Sequence, residues 1–311
     1  MRVCFFGSEQ FSIPSLKALI ENGHEICAVI TRSDKVKGRG LEETPTIVSD
    51  FAIQQNIPVL KPEDFKDGIF AQLMLDYKPD INIVCAYGKI LNTGILACPL
   101  KGCINVHPSL LPKYRGATPI ESALRAGDTE TGVTIFYMDE GCDTGDIILQ
   151  KTYPISEEDN RVSLREKLSV FSAEVLIEAV DMIKNDKVKR MPQPKEGLCN
   201  TSLIKKEDLF INWNNSMKDI INFARSLSPL PGVKTVFRGK LIGISALKIF
   251  ETDKKGAPGT ILDVIKNVGP VVAAGDGALT LTAVKPEGKK CMDTWCFCCG
   301  NSPKIGEKFG E

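Results

Sequence analysis

The segment Cys103-Ile104-Asn105-Val106-His107-Pro108-Ser109-Leu110-Leu111-Pro112 places an amide and an imidazole two residues apart at the end of an alternating apolar run. Residues i and i+2 of a β-strand share a face, so Asn105 and His107 are expected to emerge together at its carboxyl end. Side by side, they can donate hydrogen bonds to an oxygen that gains negative charge, as acyl transfer requires. Pro108 and Pro112 stiffen the loop that follows. Of the two histidines, His24 lies in the polar turn Asn22-Gly23-His24-Glu25, which leaves His107 as the candidate for imidazole chemistry. A lone histidine is more often a buried ring bonded to a backbone carbonyl. The neighbouring Asn105 and the stiffened loop favour catalysis.

A second segment, Asp139-Glu140-Gly141-Cys142-Asp143-Thr144-Gly145-Asp146, packs four carboxylates into a glycine-containing turn. A carboxylate beside His107 would orient the ring, raise its pKa and organise proton transfer. Spacing alone does not choose among Asp139, Glu140, Asp143 and Asp146, and the turn lacks the ligand order of an EF-hand. Gly7 stands alone where a dinucleotide fold needs Gly-x-Gly-x-x-Gly, which disfavours NAD and leaves a glycine that allows the turn after the first strand.

These segments need a scaffold, and the periodicity supplies one. Strands are expected at 2–6, 25–31, 58–60, 81–86, 102–107, 132–139 and 147–155, with helices at 14–21, 46–55, 68–77 and 162–184. That alternation predicts an α/β domain with a doubly wound, mainly parallel, Rossmann-like sheet and ligands at the carboxyl ends of its strands. Residues 190–208 are polar and punctuated by Pro and Gly, as in a linker. Beyond them, short β-prone runs at 234–237, 241–250, 260–265, 271–273 and 279–284 predict a small C-terminal β-barrel of OB-like type. The expected organisation is a catalytic domain at 1–189, a linker at 190–208 and a barrel domain at 209–311.

The 311 residues suffice for two cores, and 39 Lys+Arg against 39 Asp+Glu argue against an obligate nucleic-acid coat or a membrane-surface protein. Charge is uneven along the chain: residues 191–311 hold 17 basic and 12 acidic side chains, so the positive excess falls on the second domain. The opening Met1-Arg2-Val3-Cys4-Phe5-Phe6-Gly7 lacks the pattern of a signal peptide, and no apolar run reaches membrane-spanning length; a cytoplasmic protein is expected. Eleven cysteines, mostly single within apolar runs, imply no disulfide framework. Cys291, Cys296, Cys298 and Cys299 lack zinc-site spacing, and no metal is expected.

With these segments in view, the chain resembles the folate-dependent formyltransferase family. The family's Asn-x-His, Ser-Leu-Leu-Pro, Arg-Gly-x-x-Pro-Ile and Leu-Asp-Thr-Gly-Asp match Asn105/His107, Ser109 to Pro112, Arg115 to Ile120, and Cys142 to Asp146. The resemblance implies that Asn105, His107 and Asp143 form the catalytic trio. It also implies that Ser109, Leu110, Leu111 and Pro112 line a tetrahydrofolate site bordered by Ala86, Tyr87 and Gly88. Residues 209–311 resemble the barrel with which tRNA-directed members hold tRNA, and Arg32, Lys35, Lys37 and Arg39 match their basic loop. The implied activity is formyl transfer from 10-formyltetrahydrofolate to the α-amino group of initiator methionyl-tRNA. In that reading a protonated His107 and Asn105 stabilise the oxyanion while Asp143 orients the ring and relays a proton. An amino-sugar nucleotide formyltransferase, a formyl-tetrahydrofolate hydrolase and a non-catalytic RNA-binding module are the alternatives.

Overall fold

The computed structural model describes residues 1–37, 42–65 and 68–311, which form two units. The first comprises residues 1–119, 130–154 and 165–201, and the second residues 120–129, 155–164 and 202–311.

Seven strands build the sheet of the first unit: β1 (Arg2–Phe6), β2 (Glu25–Ile30), β3 (Val59–Leu60), β4 (Ile81–Val84), β5 (Cys103–His107), β6 (Glu130–Tyr137) and β7 (Ile147–Pro154). Their order is β7-β6-β5-β4-β1-β2-β3. The five from β3 to β5 run parallel, whereas β6 and β7 are antiparallel additions. This is the expected doubly wound, mainly parallel sheet. The helices along residues 1–184 are α1 (Ile13–Glu21), α2 (Ile47–Gln54), α3 (Ile69–Tyr77), α4 (Thr93–Ala97), α5 (Pro119–Ala126) and α6 (Arg161–Lys184), of which residues 120–126 of α5 and 161–164 of α6 fall in the second unit. Cys4 and Phe6 of β1 pack with Phe70 and Met74 of α3 and Ile95 of α4. Their neighbours Val3 and Phe5 are equally buried on the opposite face. Burial on both faces explains why β1 reads as an unbroken apolar run. Gly7 makes the turn after it, where a Cβ would press on Phe5 and Ser12.

In the second unit β8 (Val233–Phe237), β9 (Lys240–Ile249), β10 (Ile261–Ile265), β11 (Gly269–Ala273) and β12 (Ala278–Pro286) form an antiparallel sheet in the order β8-β9-β12-β11-β10. The terminal segment closes it: the Gly310 N–H donates to the Val236 carbonyl at one edge, and the Phe309 N–H to that of Gly259 beside the other. Two helices absent from the sequence expectation complete the unit, α7 (Met217–Leu227) and α8 (Thr294–Asn301). Ser216 caps α7 by accepting from the Asp219 N–H. The cysteine cluster falls largely on α8, where Cys298 is buried in the core and Cys296 and Cys299 are exposed. Among the described residues no group of three or more His, Cys, Asp or Glu is placed to hold a metal ion, and no helix is long and apolar enough to cross a membrane.

The second unit also takes in residues 120–129 and 155–164, well upstream of position 209. Side-chain contacts explain it: the Arg125 guanidinium lies over the Phe223 ring at 4.7 Å, and Arg161 donates to Glu121 at 2.6 Å and to the Leu230 carbonyl at 3.1 Å.

The barrel core is aromatic, with Phe309 stacked on Phe237 at 4.8 Å between centroids and tilted against Trp213 at 6.1 Å. Both tryptophans, Trp213 and Trp295, lie in this unit, so indole fluorescence reports its unfolding alone. In urea titrations followed that way, Phe309→Ala is expected to cost about 3–5 kcal/mol. Replacing the exposed Ile305 by Ala should cost less than about 0.5 kcal/mol.

Candidate active site

Strand β5 marks the change from parallel to antiparallel pairing, with Val84↔Asn105 on one side and His107↔Thr134 on the other. Held in register on both edges, it delivers Asn105 and His107 from one face. The loop after it is pinned by Thr134, whose hydroxyl donates to the Ser109 carbonyl at 2.6 Å and accepts from the Leu111 N–H at 3.2 Å. Gln150 adds a bond to the Leu111 carbonyl at 3.0 Å, and the Ser109 hydroxyl bonds the Lys113 carbonyl at 2.6 Å. Ser109, Leu111 and Pro112 are buried, and Leu110 is half-buried.

Of the four acidic candidates, the fold brings Asp143 to His107. Its Oδ2 lies 3.6 Å from His107 Nδ1, and its Oδ1 lies 3.4 Å from Asn105 Nδ2. The carboxylate is fixed by the Gly116 N–H, which donates to Oδ2 at 2.7 Å. Asp139 instead caps its own turn, accepting from the Gly141 N–H and the Thr144 hydroxyl, and Glu140 is exposed. Asp143 sits at φ +54°, in the left-handed region that Asp tolerates better than most residues. A Cβ on nearby Gly145 would overlap the Tyr137 carbonyl, so the turn has no room for a larger residue there.

Ring protonation follows from the partners. His107 Nε2 is 3.0 Å from the Tyr114 carbonyl, and a carbonyl only accepts, so Nε2 carries the hydrogen. In the neutral ring Nδ1 is then a lone pair facing Asp143. Burial pushes the imidazole below its ordinary value of 6.5, against the opposing pull of the Asp143 carboxylate. Desolvation of a ring only 4% exposed opposes the carboxylate at 3.6 Å and disfavours an imidazolium at rest, whereas the resemblance implied a protonated ring.

Ala86 (φ +48°) and Gly88 (φ +75°) form a left-handed turn after β4, and the Ala86 carbonyl accepts from the Ser8 N–H at 3.2 Å. The Tyr87 ring is buried against Phe6 and Phe65, and its hydroxyl has no hydrogen-bond partner among the described residues. Arg32 pairs with Glu9 at 3.3 Å, and a Cβ on Gly88 would come within 3.2 Å of its guanidinium. Lys35 and Lys37 lie on the short strand Lys35–Lys37, which pairs with Glu42–Thr44; Arg39 lies outside the described residues.

Three contributors were not expected. Tyr114 and Gly116 act through their backbones, although Arg115-Gly116 stood out as a motif. The third is Gln193, whose Nε2 donates to the carbonyls of Asp143 and Gly145 at 2.9 and 2.8 Å. It lies in the stretch read as a linker, of which residues 190–201 belong to the first unit: Met191 bridges Ile147, and Asn200–Thr201 pairs with Arg115–Gly116. Its only signal in the sequence is the rigid context Pro192-Gln193-Pro194.

An amide N–H donor and an imidazole lone pair beside a half-buried carboxylate are suited to acyl transfer. The formyl transferase family model matches residues 1–180, and the model for the formyl transferase C-terminal domain matches residues 203–302. The chain belongs to the formyl transferase family. It is 39% identical over 313 residues to the methionyl-tRNA formyltransferase of Pelotomaculum thermopropionicum, covering 100% of this chain and 99% of that one. In fold it is similar to HypX from Aquifex aeolicus in complex with tetrahydrofolic acid (TM-score 0.66, 18% identity), matching 99% of this chain and 48% of the longer one. It is likewise similar to the N-formyltransferase from Helicobacter canadensis in complex with folinic acid and dTDP-3-aminofucose (TM-score 0.64, 18% identity), over 90% of this chain and 98% of that one.

Both histidines titrate below 6.5, His24 chiefly through burial and the nearby N-terminal charge. Below that pH the unfolded chain binds protons that the folded chain refuses, so stability falls as the pH drops. The urea midpoint is expected to be lower at about pH 5.5 than at about pH 7, and His107→Gln should shrink the difference. Circular dichroism at the two pH values checks this; an unchanged difference in His107→Gln would mean that the ring titrates freely.

Proposed function

We propose that this formyl transferase moves the formyl group of 10-formyltetrahydrofolate to the α-amino group of methionyl-initiator tRNA, in translation initiation in the cytoplasm. The convergence of Asn105, His107 and Asp143 carries the reaction class, and the end-to-end relationship to a methionyl-tRNA formyltransferase at 39% identity supports the acceptor. The sugar N-formyltransferase, at 18%, shares the fold alone.

When bound, 10-formyltetrahydrofolate supplies an activated formyl group whose leaving atom is N10. The residues fit it: Asn105 Nδ2 and His107 Nδ1 face the two oxygens of one carboxylate, which puts a hydrogen-bond donor for an oxygen gaining negative charge beside a lone pair that can take a proton. Ser109, Leu110, Leu111 and Pro112, with the Ala86-Tyr87-Gly88 turn, would hold the folate. A free α-amine titrates near 7.7–8.0, so a useful neutral fraction exists at cytosolic pH. As the amine attacks, neutral His107 accepts its proton at Nδ1 and becomes an imidazolium held between Asp143 and the Tyr114 carbonyl. Asn105 Nδ2 donates to the formyl oxygen throughout. When the bond to N10 breaks, His107 returns the proton to N10, and no metal is needed. Arg32, Lys35, Lys37 and Arg39, with the barrel domain at 209–311, would meet tRNA phosphates, making binding salt-dependent.

The acceptor is tested by offering 10-formyltetrahydrofolate together with methionyl-tRNA, an amino-sugar nucleotide and glycinamide ribonucleotide, then finding by mass spectrometry which gains the formyl mass. Formyl-methionyl-tRNA is expected, whereas folate release without an acceptor would point to a hydrolase. Asn105→Ala and His107→Ala should each lower kcat by about a hundredfold or more and leave tRNA affinity within about twofold. Equal losses in both would count against the trio.

A further inference from the structure

The strongest unassigned feature is the amide of Gln193. Its two N–H groups go to the Asp143 and Gly145 carbonyls at 2.9 and 2.8 Å, and its oxygen accepts from Arg115 Nε and Nη2 at 3.0 and 2.7 Å. A side-chain amide has two donors and two acceptor lone pairs, and here all four are used. The orientation is thereby determined, because a flipped amide would set N–H against guanidinium and oxygen against two carbonyls. Arg115 in turn is held by the chain around it, its N–H donating to the Cys199 carbonyl and its own carbonyl accepting from the Thr201 hydroxyl.

We propose that Gln193 is a positioning residue, whose amide clamps the backbone on both sides of Thr144 and so aims the Asp143 carboxylate at His107 and Asn105. The inference rests on the reading of those three residues as the reacting group. Asp143 is in a left-handed conformation, and its carboxylate has one backbone anchor, the Gly116 N–H. Without the clamp, the Asp143 and Gly145 carbonyls lose their side-chain donor, and the carboxylate is left to the Gly116 N–H and the long contact with Asn105. Because Met191 bridges Ile147 and Cys199 donates to the Pro112 carbonyl, the stretch carrying Gln193 is docked along both loops of the site and is part of its wall.

The chain's two histidines make the test direct, since histidine labelled with ¹⁵N gives only two imidazole spin systems and His24 serves as the internal control. The charged group acting on the His107 ring is Asp143; its other neighbours are the Tyr114 carbonyl and the edge-on ring of Phe136. In Gln193→Ala the His107 titration should move to lower pH while His24 stays in place, because the carboxylate that supports the imidazolium is no longer held close. In an Asp143→Asn background, Gln193→Ala should add no further shift. Gln193→Glu keeps an acceptor for Arg115 but turns an oxygen toward two carbonyls, so its effect should be at least as large as that of Ala. In steady-state assays Gln193→Ala should lower kcat about tenfold or more with both KM values within about threefold. No shift at His107, or an equal shift in the Asp143→Asn background, would overturn the proposal. These titrations need no substrate, so their failure is distinct from failure of the formyl-transfer reading, which the acceptor assay judges.

Discussion

The site depends on keeping a carboxylate and a neutral imidazole together in a nearly dry place. Burial of His107 disfavours its charged form, and Asp143 favours it; the contest leaves a ring that is neutral at rest yet close to a group that welcomes a proton. Such a balance holds only if the carboxylate cannot wander. The Gly116 N–H fixes one oxygen, and the Tyr114 carbonyl fixes which nitrogen of the ring carries the hydrogen. Both come from main-chain atoms, whose positions are set by the fold rather than by rotamers.

The main chain is held equally firmly. Strand β5 is paired on both edges, so the donors at its end inherit the rigidity of the sheet centre. Thr134, on the neighbouring strand β6, ties the loop after His107 through its proton and one lone pair, while the other lone pair accepts from Gln150 of β7. The antiparallel strands β6 and β7 thus serve the site as much as the sheet. Gly116 follows the same logic from the opposite direction: at φ +107° a Cβ would strike the Thr201 carbonyl, so glycine permits the close approach that brings its N–H to Asp143.

Much of the scaffold was legible because its cause is local. Alternation and helical spacing marked each strand of the first sheet to within a few residues, and the apolar texture of β1 signalled burial on both faces. Asn105 and His107 were legible for the same reason, since the period of a strand puts i and i+2 on one side. The helices α7 and α8 were not: α8 carries four cysteines or glycines among eight residues, and its place is set by packing of Phe297 and Cys298 into the barrel. Nor did texture reveal that residues 120–129 join the second unit, because Arg125 over Phe223 and Arg161 on Glu121 are pairings between residues distant in sequence.

From the sequence alone came the two-part architecture, the pairing of Asn105 with His107 on one face of β5, the stiff loop behind them and the family to which these motifs belong. The tertiary structure decided which of four neighbouring carboxylates faces the imidazole, which ring nitrogen bears hydrogen, and that a polar stretch resembling a tether forms a wall of the site. The division has a physical origin. Strand period and turn chemistry act over a few residues and leave a pattern in order along the chain, whereas the direction of a carboxylate depends on backbone atoms brought near by folding. Asp143 and Gly116 are 27 positions apart, and Gln193 is 50 positions from Asp143, distances over which no periodicity survives.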